Sequence, residues 1–162
     1  MTDTNEPIYI DEGPDAPREG LPFVERDAVI ALVRNPENGT YLGLRWKQEV
    51  DWETFVTGGV EEGQTPEEAA RAEVREETGY KNLRLVAELP RYHSKFYHAP
   101  KGVNRFAHFQ PFLFELIDDE RDSVPEEELS KHEPVWLDAE QLEAFRLTDA
   151  QRSLLNGLND AV

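Results

Sequence analysis

The sequence predicts a single α/β domain. Three observations predict it: short β-branched apolar runs bounded by turn signals, one strongly capped helix in mid-chain, and two further helical patterns near the end. The 162 residues suit one hydrophobic core. Hydrophobic residues make up 38% and charged residues 31%, a balance that supports folding rather than disorder. The domain is expected over residues 22–162. Residues 1–21 are acidic and interrupted by Pro7, Gly13-Pro14, Pro17 and Gly20, and are expected to form a mobile or loosely docked arm.

The elements follow in order. The run Ala28 to Val33, within Phe23 to Val33, predicts a buried strand. Asn38-Gly39 marks a hairpin turn, with Tyr41 to Trp46 as the return strand and Trp52 to Val56 as another. Thr65, Pro66 and Glu68 supply an N-cap, a first-turn proline and a capping box, so a helix starts there and runs to about Thr78. Gly79 sits where a left-handed cap belongs. Strands are expected over Leu83 to Leu89, Arg91 to His98 and Arg105 to Ile117, with Pro100-Lys101-Gly102 as the tip joining the last two. Residues 118–131 are expected as an acidic loop, 135–137 as a short strand, and 139–145 and 148–158 as helices.

Composition excludes several classes of chemistry. There are no cysteines, so disulfides, thiolate catalysis and Cys-based zinc sites are absent, and the cytoplasm is the expected setting. No apolar run approaches the roughly 20 residues of a membrane span, and the start of the chain lacks the basic and apolar blocks of a signal peptide. A net charge of −17 repels nucleic acid and anionic membranes at long range. A metal-bound phosphate site still works in such a chain, because the metal supplies the local positive charge.

The chemistry concentrates between Gly58 and Tyr80, GGVEEGQTPEEAARAEVREETGY. Glu73, Glu76 and Glu77 stand at positions i, i+3 and i+4 and share one helix face. A solvated acidic face is the simpler account of three such carboxylates. Against it, alanines and Val74 fill the positions that pack on a sheet, and glycines bracket the helix. Clustered carboxylates behind a glycine loop suit Mg²⁺ or Mn²⁺, which prefer oxygen ligands and arrive with phosphates.

These residues resemble the Nudix signature, G-x5-E-x7-R-E-U-x-E-E-x-G-U with U apolar. Gly58, Glu73, Val74, Glu76, Glu77, Gly79 and Tyr80 fall in the matching places. The resemblance covers roughly residues 23–158 and implies an α/β/α sandwich with a mixed β-sheet. It also implies a pyrophosphohydrolase in which metal-assisted water attacks a diphosphate. Glu76 and Glu77 would be metal ligands and Glu73 a ligand or base. The implied substrate is a nucleoside diphosphate linked to another group, and nucleic acid is not expected as a partner apart from an RNA end. Many relatives are dimers, so a homodimer belongs to the expectation. Two positions depart from the signature: Gln64 replaces its first glutamate and Ala72 its arginine. Arg71 or Arg75 is available in place of that arginine. The departures keep a second reading open, a binding module for nucleotide or RNA that has lost turnover.

A further carboxylate often comes from a loop in this family. Glu133 is the first candidate, ahead of Glu126, Glu127 and Glu128, and a plain surface charge is the alternative for it. For substrate, Gly58 and Gly59 offer backbone. Arg45 and Lys47 would share a strand face near the site. Arg105 lies in a stretch from Arg91 to Phe114 that has no Asp or Glu but many aromatics; a hairpin with a polar outer face explains that stretch equally well. Trp52 is expected in the core. The histidines fit no compact zinc spacing and are set aside as metal ligands. Phe23 to Ala28, Val50 to Gly59 and Asn104 to Phe109 are also similar to a Nudix-like insert of some bacterial leucyl-tRNA synthetases.

Overall fold

The computed structural model describes residues 6–47 and 53–161. Among these residues eight strands form one mixed sheet: β1 (Ile8–Ile10), β2 (Phe23–Arg34), β3 (Tyr41–Trp46), β4 (Val56–Gly59), β5 (Leu83–Glu88), β6 (Tyr92–His98), β7 (Val103–Leu116) and β8 (His132–Leu137). The helices are α1 (Pro66–Thr78), α2 (Glu126–Leu129), α3 (Ala139–Ala144) and α4 (Asp149–Ala161). The main strand order is β1-β6-β7-β2-β3-β8, with β4 on β2 and β5 on β7. The long β2 and β7 pair in parallel from Phe23↔Asn104 to Arg34↔Glu115. The other pairings are antiparallel except β1 on β6.

Alternation along β2 sets up two cores. Val29, Ala31 and Val33 face α1, where Ala69, Ala70 and Val74 pack on Phe112 and Phe114. Ile30 and Leu32 face the other way, against Leu142, Phe145, Leu155 and Leu158 of the C-terminal helical region. The sheet is thus the middle layer of an α/β/α sandwich. The Ala28 to Val33 run of β2 is continuously apolar because both of its faces are covered.

The α1 boundaries follow from local chemistry. The Glu68 backbone N–H donates to Thr65 Oγ1 at 3.2 Å, and the Thr65 N–H donates to Glu68 Oε1 at 3.1 Å. Gly79 has φ 85°, and a Cβ there would run into the Asp122 carbonyl. The expected strand over 52–56 lies later, as β4, because Gly58 and Gly59 themselves pair with Val29 and Ala28. Trp52 falls outside the described residues. The loop expected over 118–131 contains α2, and β8 begins at His132 rather than Val135. Residues 8–10 of the N-terminal stretch pair with His93 to Lys95, and the Asp11 N–H donates to the Lys95 carbonyl at 3.0 Å.

Candidate active site

Helix α1 lies on the sheet by its alanine and valine face and turns its glutamate face toward the end of β4. Glu73 crosses directly over Gly58; a Cβ at Gly58 would occupy the space of the Glu73 carboxyl. Burial, and then the charge of Glu76, push the Glu73 carboxyl up to about 7. Glu77 is buried more deeply, and burial followed by Glu73, Glu128 and Glu76 pushes it up to about 9. Glu76 is exposed at the outer rim.

Two groups close the cluster from the far side of the chain. α2 supplies Glu128 and the first residue of β8 supplies His132. His132 is buried, with Nε2 3.4 Å from Glu128 Oε2 and 3.9 Å from Glu77 Oε1. Trp46 packs edge-on against its ring at 4.9 Å. Burial holds the imidazole below its ordinary value, against the raising charge of Glu128. Ligand atoms of Glu77, Glu128 and His132 all lie within 4.8 Å of one another. Glu77 Oε2 and His132 Nδ1 are buried without a hydrogen-bond partner among the described residues. Like-charged carboxylates held together, with a buried oxygen left unsatisfied, fit a divalent cation: it would neutralise the repulsion and take the spare oxygen.

Other predicted residues land elsewhere. Glu133 is exposed and follows His132 on β8, so alternation turns it to the opposite face, beside Arg45 of β3. His132 and Glu128 take the place expected for it. Arg45 is also on that opposite face and pairs with Glu53, with Nε 3.3 Å from Oε2. Lys47 is exposed, and its backbone N–H donates to Lys131. Neither arginine of α1 substitutes for the one missing at Ala72. Arg71 reaches Glu67 at 2.9 Å and the Leu83 carbonyl at 2.8 Å, while Arg75 reaches Asp122 at 2.6 Å. Gln64 closes the glycine loop instead, accepting from the Glu61 N–H at 3.0 Å.

Two residues of this neighbourhood escaped the sequence reading. His132 would have been found by starting β8 three residues earlier, which puts it on the same face as Trp136. Arg26 of β2 lies across Gly59, where its guanidinium occupies the space a Cβ would fill, and its charge lowers Glu73 against the stronger upward causes. The sequence carried no signal for it beyond a lone cation before an apolar run.

A family model described as the NUDIX domain matches residues 24–158. Nudix hydrolase 25 of Arabidopsis thaliana is 32% identical over 74 residues, which is 46% of this chain and 42% of that protein. The chain therefore spans less than half the length of that relative. Among solved structures, the E. coli dihydroneopterin triphosphate pyrophosphohydrolase superposes with TM-score 0.62 at 20% identity, covering 83% of this chain and 96% of that one. A MutT protein from Methanosarcina mazei Go1 superposes with TM-score 0.61 at 20% identity, covering 88% and 98%. These likenesses describe the fold.

Proposed function

The chain belongs to the NUDIX family, and from that premise we propose that it hydrolyses a pyrophosphate bond in a nucleoside diphosphate linked to another group, with Mg²⁺ or Mn²⁺ as cofactor. The observation that carries the proposal is the carboxylate cluster of α1, completed by Glu128 and His132, with a buried Glu77 oxygen that has no partner among the described residues. Glu77, Glu128 and His132 would hold the ion together with Glu76, the exposed carboxylate of the same helix face. Bound there, a divalent ion supplies Lewis-acid charge to the phosphate oxygens and acidifies water.

The chain's own contribution is placement and proton transfer. Gly58 lets Glu73 lie flat on β4, with no side chain between it and the strand. Glu73, held over Gly58 beside the cluster that would bind the ion, is placed to take a proton from an attacking water. The cysteine-free composition supports a cytoplasmic setting. Among the described residues no helix is long and apolar enough to cross a membrane.

The test is hydrolysis of a panel of nucleoside diphosphate derivatives with each metal, comparing wild type with Glu76→Gln and separating products by chromatography. Turnover that needs metal and disappears in the variant is the expected result. A second reading, nucleotide binding without turnover, rests on Ala72, since neither Arg71 nor Arg75 reaches the glutamates. Equal inertness of both proteins, with nucleotide binding retained by wild type, would favour it.

A further inference from the structure

On the sheet face away from α1, three adjacent strands bring cations together. Arg26 of β2 is opposite Ala107 of β7, and Arg105 stands two residues before Ala107. Arg105 is in turn opposite Phe96 of β6, and His98 stands two residues after Phe96. Two-residue steps keep side chains on one face, so Arg26, Arg105 and His98 form a diagonal across β2, β7 and β6. Their charges act on one another. Burial and then Arg26 lower Arg105, while burial, Arg105, Arg26 and Lys101 lower His98.

Among the described residues the acidic group that acts on them is Glu73, which feels Arg26 from the other face of β4. Arg105 is 6% exposed, and its Nε has no hydrogen-bond partner among the described residues. Neither Arg105 nor Arg26 forms an ion pair among those residues. The chain has 34 acidic side chains against 17 Lys and Arg, so a counter-ion would have been the common outcome. A buried guanidinium beside a second one, with no carboxylate paired to it among the described residues, is costly unless an anion completes it. Phosphate oxygens suit two neighbouring guanidinium groups whose charges act on one another.

The glycine pair joins this patch to the carboxylates. Gly58 and Gly59 are consecutive in β4, so the side chains they lack would point to opposite faces. Glu73 fills the space over Gly58 and Arg26 the space over Gly59. Backbone alone separates the carboxylate from the guanidinium. We propose that Arg26 and Arg105, with His98 at the rim, bind a phosphoryl group of the substrate on the face away from α1, reached round the end of β4 from the carboxylate cluster. The proposal rests on the hydrolase reading for the identity of the ligand, but binding of the anion does not need turnover.

The experiment titrates the full chain, in EDTA at constant ionic strength, with inorganic pyrophosphate by calorimetry. Arg105→Met and Arg26→Met are each expected to weaken binding by about tenfold or more, while Glu76→Gln binds at least as tightly as wild type. Arg26 is exposed, so its variant decides the matter if Arg105→Met fails to fold. Unchanged pyrophosphate binding in the folded variants overturns the proposal. With metal and a turned-over substrate, pyrophosphate is expected to raise KM and leave kcat, and Arg105→Met to raise KM more than it lowers kcat. Inhibition that lowers kcat with KM unchanged would overturn the assignment to substrate and point to a free phosphate effector. Absence of turnover across the panel would sink the hydrolase reading, and the metal-free titration would still decide the subsite.

Discussion

At the scale of single residues, Glu77 concentrates the electrostatic conflict of the site. Its carboxyl is pushed up to about 9 by burial and by three neighbouring glutamates. In the unfolded chain it titrates near its ordinary value of 4.5, so metal-free folding takes up a proton between those two pH values. Stability is then lost as pH rises through that window. Glu77→Gln is therefore expected to raise the melting temperature of the metal-free protein near about pH 8, with a gain that shrinks toward acid pH. The same variant should forfeit the stabilisation by Mg²⁺ or Mn²⁺, which for wild type is about 2.7 kcal/mol at a hundredfold excess over Kd. Melting curves with EDTA and with metal check both, and an unchanged metal response would remove Glu77 from the ligand set. Gly58→Ala tests placement. The new Cβ meets the end of the flexible Glu73 side chain rather than backbone, and Gly58 has no positive φ, so the fold should survive. Turnover should fall by about a hundredfold through misplacement of Glu73; wild-type rates would show that Glu73 does not need its position over β4.

At the scale of elements, legibility tracked how local the governing physics is. The α1 boundaries depend on Thr65, Glu68 and Gly79, all within one helix, and they were readable. So was the shared face of Glu73, Glu76 and Glu77. The start of β8 depends on pairing with β3, from Trp46↔His132 to Tyr41↔Leu137, and no local pattern announces it. That three-residue difference decided which of His132 and Glu133 faces the carboxylates. The pairing of β1 with β6 is of the same kind, since Pro and Gly punctuate the neighbouring sequence while the partner strand lies far along the chain. Asp11, next to β1, carries a test of this docking. Burial and the charges of Asp15 and Asp149 push its carboxyl up to about 6, with the Ser94 side chain acting in the other direction. Its folded value exceeds the ordinary 3.8, so the folded state holds the extra proton and stability falls as pH rises through that interval. Asp11→Asn keeps a hydrogen-bonding side chain and removes the charge. It is expected to melt higher than wild type near about pH 8 and alike near about pH 4. Equal melting at both would mean that Asp11 is not buried against the sheet.

At the scale of the whole molecule, the same charge imbalance that shapes the site acts on the entire surface. The net charge is −17, and the sequence pI is about 4.5. Carboxylates crowd around α1, while Arg26 and Arg105 lie on the other face of the sheet, with the backbone of β4 between Arg26 and Glu73. Composition made the acidic excess plain but could not place the cations. Their meeting depends on the parallel register of β2 with β7, a long-range pairing. The global consequence is self-repulsion of the compact state, opposed locally by ion pairs such as Arg75–Asp122 and Lys81–Glu120. Those pairs are solvent-exposed and each contributes little, about 0–1 kcal/mol, whereas repulsion sums over the surface. Salt weakens both, with a Debye length near 10 Å at about 0.1 M. Repulsion should dominate, so the melting temperature in EDTA is expected to rise from about 20 mM to about 500 mM NaCl near neutral pH. The rise should vanish close to the pI, where the net charge has been titrated away. A melting temperature that falls with salt at neutral pH would mean that the surface pairs outweigh the imbalance. The carboxylate cluster would then have to be held together by packing of α1 against a far more stable sheet.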